Sequence, residues 1–445
     1  MSTRFELEGL HDEHRDRAVL VGVDRHRADW PVEESLAELE RLANTAGSDV
    51  VAHVTQRLDR PSPRSFVGSG KAAEIAALAQ ELNADTVIFD DDLTPSQQAN
   101  LEDLIPDTRV LDRTALILEI FALHAESREG KLQVELAKLE YVLPRLRGMW
   151  GHLEAERLGG GRGARFGAGE SQLEVDRRLT RRRIADLKRE LKHVASVRET
   201  QRSARAGSGV FRVSLVGYTN AGKSTLLNAV TGAGVLAEDM LFATLDSTTR
   251  RLVLPEGREI TLTDTVGFIN KLPHGLVEAF KTTLDEVREA NLLLHVIDGS
   301  HSQAEAQMKA VDEVLHEIKA HQTPRLLVVN KIDAMLPEQV AGMLARHRGA
   351  VMVSAATGEG IDQLMARIAA EASRGSTTMT VLLPYTRGDL VQVAHERTQL
   401  ISEHHTTDGT QLVIRVPAEL VDRFRQFMLA EQDELLGQGP SSPAD

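Results

Sequence analysis

Hydrophobic and polar positions change period several times along this chain, and each change marks an element. Near the start, apolar β-rich runs at Ala18-Val-Leu-Val-Gly-Val23, Val50-Val-Ala-His-Val54 and Thr86-Val-Ile-Phe89 alternate with helical spacing near 33–46, 71–83 and 95–104. That alternation predicts a small α/β domain. Over 115–150 and 171–203 the apolar positions step by three and four: Leu132, Leu136, Leu139, Leu143 and Leu146, then Ile184, Leu187, Leu191 and Val194. Two long helices with such seams bury both most simply as an antiparallel hairpin. Further on, the runs Val213–Val216, Ile260–Asp264, Leu326–Asn330 and Val351–Val353 read as strands, and helical spacing begins at Ser224. From 379 the runs Met379–Leu383, Asp389–Val393 and Gln411–Val416, with a turn at Asp408-Gly409, predict a small α+β domain. Residues 437–445 are expected to be disordered. The fold class that follows is multidomain α/β. An N-terminal α/β domain covers 1–112, a helical hairpin 113–206, a central domain with a mixed, mostly parallel sheet 207–375, and a C-terminal α+β domain 376–445. No internal repeat of fixed period is present.

Composition narrows the chemistry. The 445 residues include no cysteine, which excludes disulfides, cysteine-ligated zinc and thiol catalysis and suits a reducing compartment. The charged start MSTRFELEGLHDEHRDR lacks a signal-peptide core, and no apolar run is long enough to span a bilayer. A cytoplasmic protein is expected. The net charge of -14 argues against a nucleic-acid partner, but Arg177–Arg205 carries eleven Lys/Arg against three Asp/Glu. Such a segment suits contact with a phosphate backbone, or is a solvated helix face. Between the predicted helices, Gly159–Gly169 holds six glycines and two arginines. It is a flexible linker or a loop that approaches RNA closely, with Trp150 and Phe166 available to stack on bases. His404 and His405 lack partners at metal-ligand spacing and read as surface residues. Gly68-Ser-Gly-Lys71 reads as a tight turn opening a helix, with a nucleotide or RNA contact as the alternative.

The strongest chemical signal is Gly217-Tyr218-Thr219-Asn220-Ala221-Gly222-Lys223-Ser224, followed by Thr225. It fits the phosphate loop G-x-x-x-x-G-K-[ST], in which backbone N–H groups surround phosphate oxygens, the lysine neutralises charge and the hydroxyl binds Mg²⁺. Its place between a strand and a helix start adds the helix's partial positive charge. Asp264-Thr265-Val266-Gly267 ends a strand, where the carboxylate reaches Mg²⁺ through water and Gly267 senses the γ-phosphate through its N–H. Asn330-Lys331-Ile-Asp333 ends another strand, and its Asp333 carboxylate matches the paired donors of guanine, which adenine lacks. Ser354-Ala355 fits the remaining guanine loop. Together these motifs predict a P-loop GTPase that uses GTP/GDP and Mg²⁺.

The first switch falls on Leu241–Arg250, including Phe242, Ala243, Thr244, Leu245 and Asp246. Thr244 is the expected second metal-binding hydroxyl beside Ser224, with Thr248 and Thr249 as alternatives. Lys223, Thr244 and Gly267 are the expected catalytic set. Phe268 stands where many GTPases carry a water-orienting glutamine, so slow intrinsic hydrolysis is expected. Asn220 suits a bound K⁺, or is simply tolerated in a turn.

These motifs, with Phe242-Ala-Thr-Leu-Asp246 and Asp264-Thr-Val-Gly-Phe268, closely resemble the HflX-type translational GTPases. The resemblance extends to Phe66-Val-Gly-Ser-Gly-Lys71, Asp90-Asp-Asp-Leu93, Gln133-Val-Glu-Leu136, Leu143-Pro-Arg-Leu146, Gly169-Glu-Ser-Gln-Leu-Glu174 and Asp176-Arg-Arg178. It covers about residues 18–425. Ser247 replaces the family's usual proline, and the glycine loop departs from the usual Gly-Ile-Gly-x-Arg-Gly-Pro-Gly. The resemblance implies a GTPase that binds the large ribosomal subunit through the Gly159–Gly169 loop and the basic helix 177–205; the sequence leaves oligomeric state open, and a probe of this shape suits a monomer. It further implies separation of stalled or hibernating ribosomes into subunits after stress. A ribosomal-RNA assembly factor and a nucleotide-driven RNA-remodelling protein are the alternatives.

Overall fold

The computed structural model describes residues 15–25, 30–146, 166–206, 210–232, 240–242, 244–255, 257–271, 273, 281–374 and 376–429. The first unit is an all-parallel sheet in the order β2-β1-β3-β4, made of β1 (Asp16–Asp24), β2 (Ser48–Arg57), β3 (Thr86–Phe89) and β4 (Arg109–Asp112). Helices α1 (Val32–Thr45), α2 (Ser69–Glu81) and α3 (Pro95–Leu104) connect the strands. β3 is buried along its length, as strands covered on both faces are.

The single helix expected over 115–150 is two, α4 (Arg113–His124) and α5 (Arg128–Val142). Ala125 leaves helical geometry with ψ 105°, and the Ser127 hydroxyl caps α5 by accepting the Gly130 N–H at 2.9 Å. Helical spacing alone misses the break, because α4 is apolar on nearly every side and buried, whereas α5 is apolar along one seam. That seam, Leu132, Leu136 and Leu139, packs on Ile184, Leu187 and Leu191 of α6 (Phe166–Ala206). After α5, Arg145 donates to the Leu93 carbonyl (2.7 Å) and Gln98 (2.9 Å), pairs with Asp112 (3.3 Å) and lies over the Tyr141 ring. These contacts fix the base of the helical pair against the first sheet. Of the expected glycine loop, 159–165 lie outside the described residues, as does Trp150. Phe166–Gly169, expected in that loop, already belong to α6.

The central sheet runs β10-β9-β8-β5-β7-β6. It comprises β5 (Phe211–Gly217), β6 (Thr248–Val253), β7 (Glu259–Asp264), β8 (Leu292–Asp298), β9 (Arg325–Asn330) and β10 (Val351–Met352), with α7 (Lys223–Thr231), α8 (Lys281–Arg288), α9 (Ala304–Glu317), α10 (Pro337–Arg346) and α11 (Ile361–Ser373). Only the edge pair β6–β7 is antiparallel. The last unit is an antiparallel sheet β11-β13-β12, formed by β11 (Ser376–Leu383), β12 (Gln399–His405) and β13 (Thr410–Pro417) and covered by α12 (Gly388–Arg397) and α13 (Ala418–Arg425). Asp389–Val393, expected as a strand, lies in α12, because Leu390 and Ala394 enter the core one helical turn apart. His404 and His405 are exposed on β12. No helix among the described residues is long and apolar enough to cross a membrane.

One apolar core joins the first sheet to the central one. It takes in Trp30, Leu116, Ile120 and Phe121 from the first unit and Tyr218, Phe242, Leu245 and Phe268 from the second. The Trp30 and Tyr218 rings stack with centroids 6.0 Å apart.

Candidate functional site

The phosphate-loop motif occupies the turn between β5 and α7, at the carboxyl edge of a mostly parallel sheet, where α/β folds bind ligands. Gly222 has φ +88°, and a Cβ there would lie 2.2 Å from Asn330 Nδ2, so the turn closes only without a side chain. A Cβ on Gly267 would lie 2.8 Å from the Thr219 methyl and 3.0 Å from Lys223 Nζ. Between these walls is an open cleft lined by Asn220, Lys223, Ser224, Thr225, Thr244 and Gly267, among others.

Lys223 is buried and donates to the Tyr218 carbonyl at 2.9 Å. Burial lowers its pKa to about 8, with Asp264 opposing the shift, and burial also raises the Asp264 carboxyl above its usual range. Ser224 Oγ donates to Asp264 Oδ2 at 2.6 Å and lies 2.9 Å from Thr244 Oγ1, which itself donates to Oδ2 at 3.2 Å. The second Asp264 oxygen is buried with no hydrogen-bond partner among the described residues. Three oxygen donors converging beside a buried amine are what a hard cation and a polyphosphate require together. Thr249 instead bonds Thr263 across the β6–β7 pair at 3.0 Å, and Thr248 lies in β6, so neither joins this cluster as Thr244 does.

Other expected contacts are spent differently. The Asn330 side chain donates to the Ala221 carbonyl and accepts the Ala355 N–H, both at 2.9 Å, bracing the phosphate loop against the Ser354-Ala355 turn. Lys331, with φ +63°, pairs with Asp298 at 2.8 Å. Burial opposes ionisation of Asp298, but hydrogen bonds from Lys331 and Ser300 hold its pKa below the usual value. The Asp333 carboxylate is exposed beside this brace. Thr265 donates to the Leu215 carbonyl, and Tyr218, Leu245 and Val266 are buried in the core. Asp246 is engaged by α5 rather than by the cleft. The side chains of Tyr218, Leu245, Val266 and Asp246 are thus engaged in packing or bridging, while Thr265 also lines the cleft. Ala243 lies outside the described residues.

Phe268 is buried, and its backbone pairs with the phosphate loop: its N–H donates to the Gly217 carbonyl (3.1 Å) and its carbonyl accepts the Thr219 N–H (2.7 Å). Its ring packs in the core and does not line the cleft.

Behind the site lies a charge network that the motifs do not announce. Arg113 is fully buried and pairs with Glu38 and with Asp90 (2.7 Å). Asp90 also accepts from Ser35 and Lys271, each at 2.6 Å. Burial and the Glu38 carboxylate hold the Tyr218 phenol well above its usual pKa; its Oη donates to Glu38 and accepts the Asn270 N–H at 2.6 Å. The phosphate loop and the segment after Gly267 are thereby tied to the first sheet. Sequence reading missed Glu38, Arg113 and Lys271 in this role, and the only available hint was a run of acidic residues after β3.

Comparisons agree along the chain. Profiles described as GTP-binding GTPase N-terminal, GTP-binding GTPase middle region, 50S ribosome-binding GTPase and HflX C-terminal domain match residues 33–122, 124–205, 212–331 and 340–445. The chain is 45% identical over 416 residues to the GTPase HflX of Caldanaerobacter subterraneus, covering 94% of each protein. It is 46% identical over 389 residues to the GTPase HflX of Escherichia coli, covering 86% of this chain and 90% of that protein. A GTP-binding protein from Sulfolobus solfataricus, solved in complex with GDP, is 26% identical with a TM-score of 0.42, over 81% of this chain and 99% of that one. With the phosphate loop, the glycine turn and the guanine-loop brace assembled on one sheet edge, this chain belongs to the HflX family of GTPases.

Proposed function

We propose that this GTPase binds the large ribosomal subunit and separates stalled or hibernating ribosomes into subunits, with hydrolysis stimulated by the ribosome. The observation that carries the reading is the Lys223–Ser224–Thr244–Asp264 cluster, in a chain whose GTP-binding segment matches a family described as 50S ribosome-binding. Ser224 and Thr244 fit Mg²⁺ as direct ligands and Asp264 as a carboxylate held through water, since its Oδ2 meets both hydroxyls. When bound, Mg²⁺ neutralises charge developing on the phosphates. Lys223 supports the terminal phosphates, Gly267 senses the γ-phosphate by its N–H, and Asp333 reads guanine. Thr244 completes the metal's shell when the third phosphate is present.

The burial of Phe268 leaves the hydrolytic water without a side-chain orienter from that position, which supports a partner that completes the site. The unit 207–375 then binds nucleotide, and the hairpin unit 113–206 meets ribosomal RNA. Part of the basic charge of α6 is spent within the protein, as Arg183 pairs with Glu135 (2.7 Å) and Lys188 with Glu140 (2.8 Å). Arg178, Arg182 and Lys192 are exposed and form no ion pair among the described residues, which supports a phosphate-backbone contact there. Asn220, held at φ +58° in the phosphate loop, supports K⁺ as a stimulating ion. Equal turnover in K⁺ and Na⁺ buffers with the ribosome present removes that part. The main reading is tested by adding the complex with a non-hydrolysable GTP analogue to assembled ribosomes and following sedimentation. Conversion to free subunits is expected, and intact ribosomes with the protein bound would contradict splitting.

A further inference from the structure

The first switch is gripped from outside the GTP-binding sheet. On one side of Thr244, the Phe242 ring is buried and meets the Phe121 ring of α4 edge to face, with centroids 4.7 Å apart. Phe242 is held at φ +59°, a conformation that a bulky side chain adopts only when its surroundings fix it. On the other side, Asp246 points its carboxylate at the N-terminus of α5. One oxygen accepts the Ser127 N–H at 2.7 Å and the Glu126 N–H at 3.2 Å, and the other accepts the Ser127 hydroxyl. The fit has no slack, because a Cβ on Gly130 would lie 2.7 Å from Asp246 Oδ1.

A carboxylate at a helix N-terminus gains from both the unpaired N–H groups and the helix dipole. Ser127 has a double task, since the same hydroxyl that donates to Asp246 accepts the Gly130 N–H. Thr244 lies between these two anchors, with its hydroxyl 2.9 Å from Ser224 Oγ and 3.2 Å from Asp264 Oδ2. Ordering a free segment costs about 1–2 kcal/mol per residue in backbone entropy alone. A segment anchored two residues to either side of its working hydroxyl loses much less on closing.

We propose that Ser127 and the first turn of α5 are positioning elements of the GTP site, acting through Asp246 to hold Thr244 where it meets the metal and the third phosphate. The inference rests on the role given to Thr244 above. It predicts a nucleotide-specific signature, because GDP offers no third phosphate for the first switch to close upon. Since α5 is also the first helix of the leucine-seam pair, linkage requires that a force moving that pair changes GTP affinity, and that GTP in turn biases its placement.

The test measures affinities of the full-length protein for a non-hydrolysable GTP analogue and for GDP, both with Mg²⁺. Ser127→Ala is expected to weaken the analogue about tenfold, the lower end for losing a hydrogen bond to a charged group, while GDP stays within about twofold. Ser127→Thr restores analogue binding. Ser127→Asp keeps a helix cap but sets a carboxylate against Asp246, so it behaves like Ser127→Ala, which separates coupling from capping. Adding Ser127→Ala to Asp246→Ala causes no further loss. If Thr244→Ala weakens the analogue while Ser127→Ala and Ser127→Asp do not, the coupling is overturned and the site reading stands. If Thr244→Ala itself treats the two nucleotides alike, the role of Thr244 falls and this inference falls with it. Loss of GDP affinity in Ser127→Ala and Ser127→Thr alike would show a merely structural role and also overturns the proposal.

Discussion

Replacing Arg113 with methionine removes the one cation that is fully buried between Glu38 and Asp90, all three side chains being no more than 3% exposed. Methionine fills similar volume, so the loss is chiefly electrostatic. Glu38 keeps the Tyr218 hydroxyl, and Asp90 keeps Ser35 and Lys271. Lys271 is 37% exposed, and solvent screening reduces what it can replace. Breaking a buried pair in this way costs about 3–5 kcal/mol. Burial opposes the ionisation of Asp90, yet Arg113 and Lys271 together bring its pKa below the usual value, so it stabilises the fold at neutral pH and that contribution is lost only as pH falls through its low folded pKa.

Without Arg113, burial outweighs the half-screened Lys271 contact and pushes the Asp90 carboxyl upward. The destabilisation should then be full near pH 8 and shrink toward pH 5, as the stranded Asp90 carboxyl takes up a proton. Urea titration followed by Trp30 fluorescence in a Trp150→Phe background reports the interface, because Trp30 stacks on Tyr218. Adding Asp90→Asn to Arg113→Met should recover part of the loss. A cost below about 1 kcal/mol, or one equal at pH 5 and pH 8, would refute the reasoning.

Other expectations follow from the same geometry. Lys223, with its pKa near 8, must be protonated to hold phosphate, so nucleotide affinity should fall about tenfold per pH unit above 8 with proton uptake on binding, and Lys223→Met should lack that step in calorimetry across buffers. Phe268→Gln should not raise intrinsic turnover and should destabilise by about 3 kcal/mol, because an amide replaces a ring in the core, read by GTP hydrolysis and urea titration. Leu187→Ala should cost about 2–5 kcal/mol locally, seen as lost amide-exchange protection in α5 and α6 with GDP affinity unchanged.

The fold was legible where physics is local. Phosphate-loop glycines, strand-end carboxylates and the leucine seam each announce themselves within a few residues, and the alternation of runs gave the parallel sheets. The break at Ala125–Ser127 was hidden because a capping serine between two apolar segments disturbs helical spacing little. Asp389–Val393 misled because a short apolar run shows too few residues to separate a period of 2 from 3.6. The interdomain network was not readable at all: Glu38 meets Tyr218, Asp90 meets Lys271, and Ser127 meets Asp246 across more than a hundred residues of chain. Only the folded juxtaposition reveals that Tyr218 and Asp246 also bridge to the first unit.

The central claim is tested most directly by GTP turnover with and without purified large ribosomal subunits, in K⁺ buffer, with Lys223→Ala as the background control. Strong stimulation that disappears with Lys223→Ala is the predicted result. An unchanged basal rate at saturating subunits would contradict a site completed by the ribosome.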